Sequence, residues 1–151
     1  MIANAEHAHA RRWRSASVRS NSRLVIADDS PDMRWLVHAA IGKEFSEVIE
    51  VADGRELLWT LLRSSFATPP GSEPELVVIT DICMPAYDGL EVLDAWREAA
   101  CDVPTIIMTA YPSAAVQDRA DALGAFVLAK PFTTATLRWL VGEMIAGLRN
   151  R

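Results

Sequence analysis

A chain of 151 residues, half of them apolar and 23% charged, is long enough for one domain with a proper core and too short for two. No uninterrupted apolar run approaches the roughly 20 residues that cross a bilayer, and no apolar stretch follows the N-terminus. The expectation is a protein that neither spans a membrane nor carries a secretory leader, located in the cytoplasm. The formal net charge of −5 is unevenly spread: residues 1–23 hold five Arg against one Glu, so the remainder carries 10 basic and 19 acidic residues. Residues 1–22 are therefore expected to form a basic, disordered tail, and the acidic remainder argues against a nucleic-acid surface.

The elements follow in chain order. "LVIA" (24–27) is a short apolar run that ends on two adjacent carboxylates, Asp28 and Asp29. Ser30 as N-cap and Pro31 at the first helical position then predict a helix. "VIEVA" (48–52) predicts a second strand, closed by Asp53 and Gly54 as cap and turn, with a helix over 54–64. The Pro-rich "SSFATPPGSEPE" reads as a solvated loop. "LVVIT" (76–80) is a third strand that ends in Asp81, followed by a helix over 89–99. "PTIIMT" (104–109) is a fourth strand ending in Thr109, with a helix over 113–122, and "AFVLAK" (125–130) a fifth, ending in Lys130 and Pro131. Leu137, Leu140, Val141, Met144, Ile145 and Leu148 then mark one face of an amphipathic helix.

Continuous β-branched runs are the mark of strands covered on both faces, and their alternation with helices predicts an α/β fold, a doubly wound five-stranded parallel sheet with helices on both faces. In such sheets chemistry gathers at the carboxyl ends of the strands. Asp28, Asp29, Asp81, Thr109 and Lys130 all fall there. Three carboxylates close together repel unless a cation sits among them, and hard oxygen ligands suit Mg²⁺ shared with a phosphoryl group. Lys130 and Thr109 would then face phosphoryl oxygens, and Asp81, alone at the tip of the central strand, is the candidate nucleophile.

"ADDS" (27–30), "TDICMPAYDGLEVL" (80–93), "MTAYP" (108–112) and "AKPF" (129–132), in this order, resemble the receiver domain of two-component response regulators. The resemblance covers residues 23–148 and implies the flavodoxin-like (βα)5 receiver fold. It implies that Asp81 accepts a phosphoryl group from a histidine kinase or histidine phosphotransfer protein. It implies Mg²⁺ held by Asp28, Asp29, Asp81 and the main-chain carbonyl of Cys83. Thr109 and Lys130 become the hydroxyl and the cation at the phosphoryl site, Ala110 the small residue that keeps it accessible, and Tyr111 a residue that tunes dephosphorylation. Pro131 would follow Lys130 through a cis bond, and Pro85 and Gly89 would form the turn into the third helix.

The pattern departs from the family three residues before Lys130, where an aromatic switch residue is usual. Val127 stands there and Phe126 precedes it, so either the strand register shifts to give Phe126 the switch role or the aromatic switch is absent. Trp35, Trp59 and Trp139 lie beside the apolar stripes of their helices, either as a contact surface or as residues covering a helix boundary; Trp35 and Trp139 could share one patch. Cys83 and Cys101 read as inert thiols, and His7, His9 and His38 show no metal spacing.

With residues 149–151 closing the chain and no output domain expected, the function implied is a stand-alone response regulator that switches a downstream protein partner, with homodimerisation open, and not an enzyme beyond its own phosphorylation and dephosphorylation. Two alternatives stand beside it: an interaction module independent of phosphorylation, and a Mg²⁺-dependent phosphatase or phosphotransferase.

Overall fold

The computed structural model describes residues 21–66, 75–98 and 103–149. Most of the N-terminal tail with His7 and His9, most of the Pro-rich loop, Cys101 and the last two residues lie outside the described residues. Within these residues five strands alternate with five α-helices: β1 (Ser22–Ala27), α1 (Pro31–Ile41), β2 (Glu47–Val51), α2 (Gly54–Phe66), β3 (Glu75–Asp81), α3 (Gly89–Glu98), β4 (Thr105–Thr109), α4 (Ala114–Ala122), β5 (Phe126–Ala129) and α5 (Thr134–Arg149). A 3₁₀ turn, Gly42–Glu44, follows α1.

The strands form one sheet in the order β2-β1-β3-β4-β5, all pairs parallel. Chain order reverses at β1, which has β2 on one side and β3 on the other, so the crevice above the ends of β1 and β3 lies at the switch point. β1 begins one residue earlier than the expected domain boundary. Ser22 pairs with Glu75, its N–H donates to Ser46 Oγ at 3.0 Å, and it is buried.

The strand pleat sends alternate side chains to two apolar layers. Leu24, Ile26, Val77, Ile79, Ile106 and Met108 pack with Val37 and Ile41 of α1 and Leu137, Val141 and Met144 of α5. On the other face Val25, Ala27 and Val78 meet Leu57 and Leu61 of α2 and Val92 and Trp96 of α3, while Leu90, Leu93 and Ile107 meet Ala120 and Ala125. Each such Leu or Ile contributes about 1.5–3 kcal/mol by leaving water, which holds the polar strand ends in fixed positions. In the periodic stripe of the last helix, Leu137, Leu140, Val141, Met144 and Ile145 pack against the sheet and α1. Arg138, one residue beyond Leu137, donates from Nε to the carbonyl of Ala40 at 2.9 Å and ties α5 to the end of α1.

Candidate functional site: an acidic cluster at the sheet's carboxyl edge

Directly after β1 comes Asp28, whose N–H still donates to Val51 O of β2 at 3.2 Å. Its carboxylate is 1% exposed and both oxygens are engaged: Oδ1 accepts from the Ser30 N–H at 2.9 Å and Oδ2 from Lys130 Nζ at 2.8 Å. Ser30 caps α1 by accepting from the Met33 N–H at 3.3 Å. Asp28 therefore both shapes the turn into the helix and belongs to the site, whereas Asp29 next to it is exposed.

β3 delivers Asp81 beside Asp28, because Ala27 and Thr80 are register partners. The chain then turns sharply. Gly89 N–H donates to Ile82 O at 2.9 Å, and a Cβ on Gly89 would lie 2.2 Å from the carbonyl oxygen of Asp81, so only glycine lets α3 approach the strand end this closely. Asp88 and Glu91 close the start of α3 reciprocally, each side chain accepting the other's N–H at 2.8 and 2.9 Å. Ala86, in the same turn, has φ +71°, a left-handed conformation that costs a residue with a Cβ about 1–2 kcal/mol.

β4 ends with Thr109, 2% exposed, whose Oγ1 accepts from the Tyr111 N–H at 3.0 Å. β5 pairs Ala129 with Thr109, and Lys130 N–H donates to Thr109 O at 2.7 Å. The Lys130–Pro131 bond is cis. Lys130 turns back over the sheet edge to place Nζ 2.8 Å from Asp28 and 3.3 Å from Asp81.

Carboxylate oxygens of Asp28, Asp29 and Asp81 lie within 4.8 Å of one another. Burial pushes the Asp81 carboxyl above its ordinary pKa; the Lys130 charge pulls it down, and Asp28 pushes it up again. For Lys130 burial works against the charged form, but the hydrogen bond and charge of Asp28, followed by Asp81, outweigh it and raise the ammonium pKa. Three carboxylates against one ammonium leave two negative charges, the complement of one divalent cation, and every candidate donor is a hard oxygen. The donor set fits Mg²⁺.

The other expected residues are spread more widely. Cys83, Ala110 and Tyr111 are exposed just past the ends of β3 and β4, Tyr111 at 78%. Val127 pairs with Ile107 and packs on the layer formed with α3 and α4, whereas Phe126 pairs with Ile106 and is 40% exposed. The pleat therefore places Val127 on the same side of the sheet as Thr109 and Phe126 on the other. Trp35, Trp59 and Trp139 are all exposed, and Trp139 lies one residue beyond Arg138, which hydrogen-bonds the end of α1.

Sequence reasoning passed over Arg34, whose Nη1 donates to the Asp28 carbonyl at 2.7 Å and whose Nε lies 3.4 Å from Glu50 on β2. His38 also bonds to Glu50, Nδ1 to Oε1 at 2.7 Å. Nothing local marks the pairs with Glu50, because that partner comes from β2, and a bond to the Asp28 carbonyl uses a group that every residue offers. Trp96 was likewise unremarked. It is buried among α2 and α3 side chains with its Nε1 unpartnered, and its i, i+4 spacing from Val92 was the available signal.

Comparison with known proteins gives a consistent answer. A family model described as the response regulator receiver domain matches residues 24–141. Sporulation initiation phosphotransferase F of Bacillus subtilis is 29% identical over 119 residues, covering 78% of this chain and 89% of that protein. Transcriptional regulatory protein PrrA of Mycobacterium leprae is 33% identical over 135 residues, covering 87% of this chain; the chain spans only 52% of PrrA. Among solved structures, the N-terminal domain of an uncharacterized protein from Wolinella succinogenes matches with TM-score 0.69 and 27% identity over 86% of this chain and 99% of that one. Chemotaxis protein CheY4 of Vibrio cholerae matches with TM-score 0.63 and 27% identity over 86% and 98%. The sheet order, the acidic strand ends and these matches agree: the chain belongs to the response regulator receiver domain family.

Proposed function

We propose that this protein is a phosphorylation-controlled switch in which Asp81 accepts a phosphoryl group from a histidine kinase or histidine phosphotransfer protein. The observation that carries the reading is the placement of Asp81, with Lys130 Nζ 3.3 Å away and the carboxylates of Asp28 and Asp29 within 4.8 Å. An Asp81 oxygen forms the new bond to phosphorus as the donor's P–N bond breaks and its electron pair departs on the imidazole nitrogen. Asp28, Asp29, Asp81 and the carbonyl of Cys83 would hold Mg²⁺, which when bound would supply charge stabilisation to the phosphoryl group. Lys130 leaves its carboxylate partners to meet a phosphoryl oxygen, and the Thr109 hydroxyl, now accepting from the Tyr111 N–H, rotates to donate to another. Ala110 leaves the approach open, while the exposed Tyr111 borders the path of an attacking water.

The resulting shift in the α4–β5–α5 surface changes affinity for a downstream protein or a second copy of the chain. Among the described residues no helix is long and apolar enough to cross a membrane; we place the protein in the cytoplasm, as a signalling domain that turns over no substrate but its own phosphoryl group. A second reading, binding that does not depend on phosphorylation, draws support from Val127, which puts an aliphatic side chain on the Thr109 side where the family usually has an aromatic.

Incubation with acetyl phosphate and Mg²⁺, followed by intact mass measurement, tests the reading. The expected result is addition of one phosphoryl group to the wild type and none to Asp81→Asn. A wild type that neither gains mass nor binds beryllium fluoride overturns it in favour of the second reading.

A further inference from the structure

Both peptide groups of Asp28 are tied to the edge strand β2. Its N–H donates to Val51 O at 3.2 Å, and its C=O accepts from Arg34 Nη1 at 2.7 Å, while Arg34 Nε lies 3.4 Å from Glu50 Oε2. That carbonyl belongs to the peptide plane that also carries the Asp29 N–H, so whatever fixes the plane sets the direction in which Asp29 leaves the backbone. Asp28 and Asp81 have side-chain partners of their own in Lys130. Among the described residues Asp29 has no ion pair or side-chain hydrogen bond, and its side chain is oriented by the backbone alone. The Arg34 side chain is 18% exposed and Glu50 35%, and Glu50 is in turn held by His38 Nδ1 at 2.7 Å. One guanidinium spans a hydrogen bond to the Asp28 carbonyl just past β1 and an ion pair with Glu50 on β2, a geometry that an ammonium cannot reproduce.

We infer that Arg34 is a positioning residue: by clamping the Asp28–Asp29 peptide to Glu50 of β2, it pre-organises Asp29 as a ligand for the divalent cation. The inference rests on the reading of the acidic cluster as a Mg²⁺ site. Charge and geometry predict opposite signs here. As a nearby positive charge Arg34 weakens cation binding, so its removal would tighten it; as a clamp it strengthens binding, so its removal loosens it. Removing a group that orients a metal ligand typically costs 10–100-fold in affinity, and the clamp is expected to outweigh the charge.

The test is calorimetric titration of the metal-free full chain with MgCl₂, with a thermal melt of each variant in chelator. Arg34→Ala is expected to bind Mg²⁺ about tenfold more weakly. Arg34→Lys, which keeps the charge and loses the fork, should weaken in the same direction, and Glu50→Gln by less. Because the effect passes through Asp29, Asp29→Ala combined with Arg34→Ala should bind no more weakly than Asp29→Ala alone. If Arg34→Ala fails to melt cooperatively, Arg34→Lys and Glu50→Gln decide the question. Mg²⁺ affinity equal to or tighter than wild type in the Arg34 variants overturns the inference while leaving the metal site intact. A wild type that binds no Mg²⁺ overturns the metal site and this role with it.

Discussion

Gly89→Ala perturbs the fold and the nucleophile at one point. The added methyl would sit 2.2 Å from the Asp81 carbonyl oxygen, 3.0 Å from Thr80 Oγ1 and 3.2 Å from the Asp81 carbonyl carbon. Reaching even 3.0 Å from the oxygen requires a shift of at least 0.8 Å, and the obstacle is strand backbone, not the end of a flexible side chain. Overpacking of this kind costs roughly 1–3 kcal/mol, and a backbone obstacle places the substitution near the upper figure. Alanine's better helix propensity returns up to about 1 kcal/mol, less at the first helical position. The net is about 2 kcal/mol, or about 6–10 °C in melting temperature for a domain of this size. The displaced main chain also carries the Asp81 carboxylate, so the initial rate of labelling by acetyl phosphate should fall with stability. Differential scanning calorimetry and mass-resolved labelling give both readouts. Gly124→Ala is the control: nothing lies within 4 Å of its Cβ position, and its φ of +66° costs only the backbone strain, about 1–2 kcal/mol, with labelling unchanged. A Gly89→Ala protein that melts within about 2 °C of wild type and labels at the same rate would refute the close approach of α3 to Asp81.

Three further outcomes follow from the site. Burial holds the Asp81 pKa above its ordinary value, so its ionised form opposes folding above that pKa; Asp81→Asn should be more stable than wild type at pH 7 in chelator, the gain shrinking as pH falls through the Asp81 pKa toward 4, measured by chemical denaturation at both pH values. Lys130→Met strips the 1% exposed Asp28 side chain of its 2.8 Å partner and, as a broken buried pair with one partly accessible partner, should cost about 3 kcal/mol, part of it regained with Mg²⁺ in a melting scan. Phe126→Ala should leave the acetyl phosphate labelling rate within about twofold of wild type, because Phe126 lies on the side of the sheet away from Thr109; a larger loss would give Phe126 a role in the switch.

Legibility followed the range of the forces involved. The five apolar runs, the Ser30 cap and the stripe from Leu137 to Leu148 are local signals, and the elements they predict differ from the observed ones by a few residues at most. The start of β1 moved to Ser22 because its partners, Ser46 and Glu75, lie on other parts of the chain and a polar residue carries no apolar mark. The 3₁₀ turn after α1 and the left-handed Ala86 gave no signal, since neither Gly42–Glu44 nor an alanine between proline and tyrosine has a composition that demands those conformations.

The sequence by itself determined the type and order of the elements, and which residues stand at the strand ends, because hydrophobic period and caps are written in neighbouring residues. It also placed Asp28, Asp29, Asp81, Thr109 and Lys130 at one edge, since parallel strands all end on the same side. Only the tertiary structure decided how they meet. Lys130 bridges Asp28 and Asp81 from 102 residues beyond the first, Val127 shares a side of the sheet with Thr109, and Arg34 holds the turn that Asp29 leaves from. Those are relations between residues carried by different elements. They depend on register and on which face each pleat presents, and no local stretch of chain contains either.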